Sequence, residues 1–131
     1  MQVQKEEIVN RILEVSKQEF VTNGFQKTSM RIIVKKAGVG LSNIYNYFTN
    51  KDQIFETILK PLLKELELME VKHNSPDYIT DKYFHSDEYQ KKNIKMFADL
   101  VDNYRTELDL ILFKSDGSIL ANYREKIIKD Y

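Results

Sequence analysis

The chain has 131 residues, 42% hydrophobic and 31% charged, with 20 basic groups against 20 acidic ones and no cysteine. That length buries a real core without disulfide or metal, and the absence of Cys excludes thiol nucleophiles and cysteine-based zinc sites and points to a reducing, cytoplasmic setting. The longest apolar run, Leu110 to Phe113, is far below the ~18 residues of a membrane span, and Met1 to Ser16 lacks the apolar block of a signal peptide, so neither a membrane partner nor export is expected.

The zero net charge conceals a split. Residues 1–60 hold 9 Lys and Arg against 6 Asp and Glu, so the remainder is acidic by the same margin. No carboxylate occurs from Phe20 through Lys51, a window that contains Lys27, Arg31, Lys35, Lys36 and Lys51. A patch of one sign is the electrostatic footprint of a polyanion partner, although five charges also describe an ordinary solvated face.

The expected fold class is all-α. Gly and Pro total six, helix formers are abundant, and no stretch alternates with period two for the length of a strand. A first helix is expected from about Gln4 to Asn23, with Val9, Ile12, Leu13, Ser16 and Phe20 on one face and Gly24 as a left-handed stop. A short second helix follows, with Thr28 as its cap and Met30, Ile33, Val34 and Ala37 at i, i+3, i+4 and i+7. Gly38, Val39 and Gly40 separate it from a third helix, about Leu41 to Phe48, which buries Ile44 and Phe48.

Two short helices joined by a Gly-containing turn make a helix-turn-helix, the geometry that lays a second helix across a major groove. Many helical hairpins share this spacing and only pack. The outer face of the third helix separates the two cases. With Ile44 and Phe48 inward, Leu41, Ser42, Asn43 and Asn46 point outward; they lack the charges that solvate a helix and suit base edges, Asn pairing bidentately with adenine and Leu meeting a thymine methyl.

The stretch Phe20, Gly24-Phe25, Thr28-Ser29-Met30, Ile33-Val34, Ala37-Gly38-Val39, Ile44-Tyr45-Asn46-Tyr47-Phe48 and Lys51 resembles the DNA-binding domain of the TetR family of transcriptional regulators, over about the first 55 residues. Two positions depart from the family pattern. Gly40 stands where a Ser or Thr usually caps the third helix, and Val34 where Ala is usual. The resemblance implies a homeodomain-like helix-turn-helix domain over residues 1–50, followed by a helical ligand-binding and dimerisation domain over 51–131. It further implies that Thr28, Ser29, Tyr45, Tyr47 and Lys51 contact phosphates, with Lys27, Arg31, Lys35 and Lys36 supplying charge near the groove wall and Leu41, Ser42, Asn43 and Asn46 reading sequence. The competing expectation for Tyr45 and Tyr47 is that one of them simply packs.

A fourth helix opens with Asn50 as cap and Gln53 as its capping-box partner, and it runs into Pro61, which lacks the N–H that would bond the Thr57 carbonyl and is expected to kink or break it. A bent helix ending near Val71 is expected, with Pro61 a candidate hinge between reader and core. From His73 to His85 the chain is polar and irregular, with at most a short turn at Ser75-Pro76-Asp77; His73, Asp81 and His85 invite a metal site, but nothing fixes His73 relative to the others and a fourth ligand is lacking. Ser86 caps the next helix, whose core stripe is expected to be Ile94, Phe97, Ala98 and Val101. Met96 and Leu100 lie off that stripe and are assigned either to more core or to the wall of an effector cavity. Leu108, Ile111, Leu112 and Phe113 mark a further helix closed by Asp116-Gly117, and Ser118 caps a last one carrying Leu120, Tyr123, Ile127 and Ile128. Tyr131 continues its apolar period without a stop signal. Members of the resembled family usually carry further C-terminal helices that complete the cavity and a two-fold dimer, so a truncated chain is expected, the alternative being a short relative that dimerises by other means.

The expectation is therefore a sequence-specific, TetR-like regulator of double-stranded DNA, most simply a repressor released by a small-molecule effector and a homodimer when full length. It needs no cofactor. The alternative is a helical protein-interaction module that has kept the scaffold without DNA binding. Two scattered histidines, no cysteine and no clustered carboxylates argue against an enzyme.

Overall fold

The computed structural model describes residues 2–73 and 86–130. Among them are seven helices: α1 Gln2–Asn23, α2 Met30–Ala37, α3 Leu41–Ile44, α4 Lys51–His73, α5 Asp87–Asn103, α6 Arg105–Phe113 and α7 Tyr123–Asp130. Asp81, His85, the Ser75-Pro76-Asp77 turn and Tyr131 lie outside the described residues, as does the side chain of His73. No described helix is long and apolar enough to cross a membrane.

The first helix forms as its periodicity predicts. Ile12, Ser16 and Phe20 are fully buried, and Gly24 ends the helix at φ 80°, its N–H donating to the Phe20 carbonyl at 2.8 Å. Phe20 then anchors an aromatic trio: its ring lies 5.6 Å from Phe25 and 5.1 Å from Phe55, and Phe25 lies 5.1 Å from Phe55. Such stacked, tilted and edge-on pairs each add about 0.5–1.5 kcal/mol beyond their area burial. The trio joins α1, the α1–α2 turn and α4 into one packed unit.

α4 continues that core through Ile54, Ile58, Leu59, Leu62, Leu66 and Met69, all buried, and it packs on both α1 and α6. Asn50 caps it as expected, accepting from the Gln53 N–H at 2.9 Å. The return bond differs in detail, since the Gln53 side chain accepts from Thr49 N–H rather than from Asn50. Pro61 sits inside one uninterrupted helix with its ring exposed.

Three boundaries and one face depart from expectation. The cap of α2 is Ser29, not Thr28: the Ser29 Oγ accepts from Ile32 N–H at 3.2 Å. α3 closes at Ile44, and the chain reaches Phe48 through tighter turns, with Asn46 N–H bonding Asn43 O and Tyr47 N–H bonding Ile44 O, both at 3.0 Å. Two asparagines in so short a segment favour such turns over a regular helix. Ser118 caps a turn rather than the last helix: its Oγ bonds the Ser115 carbonyl at 2.6 Å and accepts from Leu120 N–H at 3.1 Å, and α7 starts only at Tyr123.

The stripe assigned to α5 is out of phase. Ile94 is 69% exposed, Val101 is 45% exposed and Ala98 is exposed, while Leu100 is buried and Met96, Phe97 and Tyr104 pack against the core. α5 carries two apolar faces about a third of a turn apart, and its packing against α6 covers only one. The predicted cap is in place, Ser86 accepting from Tyr89 N–H at 3.1 Å.

The α6–α7 loop turns back onto the N-terminal helices. The Lys114 carbonyl accepts from Phe25 N–H at 2.9 Å, and Asp52 Oδ1 accepts from Ile119 N–H at 2.8 Å. Gly117, at φ 88°, sits so close to Gln26 that a Cβ there would stand 3.3 Å from the Gln26 Cβ. Lys17 and Glu107 add an ion pair between α1 and α6 at 2.5 Å.

Candidate nucleic-acid interface

The α2–α3 hairpin owes its shape to Gly38. At φ 71° it takes the left-handed conformation that L side chains avoid, and its N–H and that of Val39 both close on the Val34 carbonyl, at 2.9 and 3.1 Å. Ile33, Val34, Ala37, Ile44 and Phe48 are buried behind the turn. Arg11 reaches across from α1 to the Ala37 carbonyl at 3.4 Å, so the end of α2 is held from both sides.

The other side of the hairpin faces solvent. Leu41 is 39% exposed and Tyr45 51%, Ser42 and Asn46 are exposed, and Asn43 is half-buried. The Asn46 Nδ2 donates to Asn43 Oδ1 at 3.1 Å, which fixes the Asn46 amide. Its Oδ1 and second N–H stay open, the acceptor and donor that an adenine edge requires. Gly40 precedes α3 without a side-chain cap, as its lack of a side chain dictates.

Several residues assigned to phosphate are deployed otherwise. Thr28 is 1% exposed, and its hydroxyl donates inward to the Glu19 and Gly24 carbonyls at 3.2 and 2.8 Å; it ties the turn to α1 and offers nothing to a ligand. The Lys51 ammonium donates to the Phe25 and Thr28 carbonyls at 2.8 and 2.9 Å and lies 4.1 Å from the centre of the Phe25 ring. Partial burial lowers its pKa from the usual lysine value, against an opposing pull from Asp52. Lys51 is thus first a clasp between α4 and the α1–α2 turn, with one N–H left over. Of the two tyrosines, Tyr47 packs against the core while Tyr45 stands in solvent. Ser29 is exposed, and its hydroxyl proton is free to donate while its oxygen caps α2.

The basic patch is smaller than its sequence window. Lys36 is paired with Glu19, which is 4% exposed and is also held by Asn23 Nδ2 at 2.8 Å. Lys27, Arg31 and Lys35 are exposed and have no ion-pair partner among the described residues. Sequence reasoning missed Arg11 and Glu19 because neither belongs to the α2–α3 motif; a lone acid on the apolar side of α1, next to Phe20, was the available signal.

Met96 and Leu100 line a cleft of about 200 Å³ between α4 and α5. It lies away from the hairpin.

Residues 12–58 match the family described as bacterial regulatory proteins, tetR family. The chain is also similar to an uncharacterized HTH-type transcriptional regulator, YhgD, of Bacillus subtilis (strain 168): 30% identical over 124 residues, which cover 88% of this chain and 65% of that protein. The chain therefore spans just under two thirds of the length of that relative. With a left-handed glycine turning one short helix onto another, and with the family match centred on that hairpin, residues 12–58 form a helix-turn-helix domain of the kind found in the tetR family of bacterial regulatory proteins.

Proposed function

We propose that the chain is a sequence-specific DNA-binding regulator that lays α3 in a major groove. The observation that carries this is the outward face of Leu41, Ser42, Tyr45 and Asn46, uncharged and open, beside Lys27, Arg31 and Lys35, cations without an ion-pair partner among the described residues, in a window without carboxylates. Phosphate contacts from Ser29, Tyr45, Lys27, Arg31 and Lys35 set the register, and Leu41, Ser42 and Asn46 read base edges. Asn43 acts on base choice chiefly by holding the Asn46 amide.

The protein acts as a repressor, in the cytoplasm, and works as a homodimer on two-fold related half-sites. A small molecule in the helical core releases the DNA, with Pro61 and the α6–α7 loop as the routes by which the core bears on the reader. Titration of the chain with a random duplex at rising salt tests the first step. A steep fall of affinity with salt is expected, and salt-independent binding or none would sink the proposal. Selection from a random duplex library then identifies the operator.

A further inference from the structure

The α4–α5 cleft is built for one sign of charge. Its floor is apolar and soft: Met69 and Leu100 are buried there and Met96 is half-buried, and thioethers adapt their shape to an irregular guest. Glu65 and Asp99, both exposed, line it from the two helices, and Asn103 and Tyr104 complete the lining. Neither carboxylate has an ion-pair partner among the described residues, and no Lys or Arg among them lines the cleft. The groove on the other side of α4 has the opposite balance, being lined by Lys60, Lys64 and Lys126 against the single carboxylate of Glu67. The contrast assigns the anionic character to this cleft rather than to the helix as a whole.

We propose that the cleft binds a small organic monocation, an alkylated or aryl ammonium, as the effector of the regulator described above. The proposal rests on that assignment for its regulatory meaning but not for the binding itself. An apolar body fills the methionine and leucine floor, the cationic centre sits beside two carboxylates that have no ion-pair partner among the described residues, and the Tyr104 ring adds a cation–π face. A neutral molecule of the same shape gains only the floor. An anion meets two like charges.

The test is calorimetric titration of the full chain with (3-hydroxyphenyl)trimethylammonium and, separately, with 3-tert-butylphenol, its neutral counterpart of nearly equal shape. Saturable binding of the cation is expected, at least tenfold tighter than the neutral compound and weakened at least tenfold by Glu65→Gln with Asp99→Asn. Because both carboxylates are exposed, these substitutions leave the fold intact, which the melting temperature checks. Equal affinity for the two compounds, binding of the cation unmoved by the double substitution, or Mg²⁺ competing at the same concentration would each overturn it. Duplex binding measured in parallel separates the two proposals. Salt-sensitive DNA binding without cation binding overturns the cleft alone; cation binding as specified without any DNA binding supports the cleft and sinks the regulator assignment.

Discussion

In the reading head three phenylalanines close on one another around the α1–α2 turn, whereas α5 and α7 leave Ile94, Val101 and Ile128 in solvent. Both regions carry apolar periodicity at helical spacing. What differs is the number of surfaces that face each helix. α2 lies between α1 and α3 and its stripe is covered; α5 makes its main packing with α6 and buries the face that α6 meets. A pattern of apolar residues names the faces a helix can bury, and the neighbours decide which one it does.

The widest test of this contrast is Phe20→Ala. Truncating a fully buried phenylalanine costs about 3–5 kcal/mol, and because its ring holds α1 to both the turn and α4, the helical signal of the whole chain is expected to melt at lower temperature in one transition. A second transition left at the wild-type temperature would show that head and core fold apart. Ile94→Ala, at the exposed counterpart in α5, is expected to shift the same melting curve by no more than about 0.5 kcal/mol.

Lys51→Met comes next. It leaves the Thr28 carbonyl without the Lys51 donor and the Phe25 carbonyl with the Thr28 N–H alone, at about 1–3 kcal/mol, and is expected to lower the denaturant midpoint while leaving the slope of DNA affinity against salt unchanged. A slope reduced by about one unit would restore Lys51 to the phosphate contacts. Asn46→Ala is expected to cost about 1–3 kcal/mol on the preferred operator and little on others. Selection from a duplex library reads this directly, and uniform weakening would remove Asn46 from base reading. Lys35→Ala and Lys36→Ala form a finer pair: the first lowers the salt slope by about one unit, and the second leaves the slope alone and lowers stability by stranding the buried Glu19.

The smallest effect is that of pH. The folded chain holds the Lys51 proton less tightly than the unfolded chain does, so this cost to stability is present in full at neutral pH and disappears as pH climbs through the lowered pKa toward 10.5. The stability of wild type relative to Lys51→Met is expected to rise over that window, measured by denaturant unfolding of both proteins. The two carbonyls stay satisfied throughout, because a neutral amine keeps two N–H groups.

Much of the head was legible because its signals are local. Gly24 and Gly38 announce left-handed stops, Asn50 and Gln53 announce a cap, and Ile33, Ala37, Ile44 and Phe48 announce an inner face. The site was legible only in part. Whether Thr28 caps a helix or dives under it, and whether Lys36 and Lys51 face outward, depends on Glu19, Gly24 and Phe25, partners outside the motif that no spacing rule ties to them. The α6–α7 loop was opaque for the same reason, since its docking rests on backbone groups of Phe25 and Ile119.

That loop sets a scale for any signal between the core and the reader. Its bonds at Phe25 and Asp52, with the Lys17–Glu107 pair alongside, are three ties of roughly 1 kcal/mol each once exchange with water is counted. A core ligand that breaks all three shifts the head by at most about 3 kcal/mol, a change in DNA affinity of roughly 150-fold. The same factor runs in reverse. Operator DNA that favours the tied state must weaken the ligand equally, so the ratio of ligand affinities with and without operator counts how many ties the signal uses.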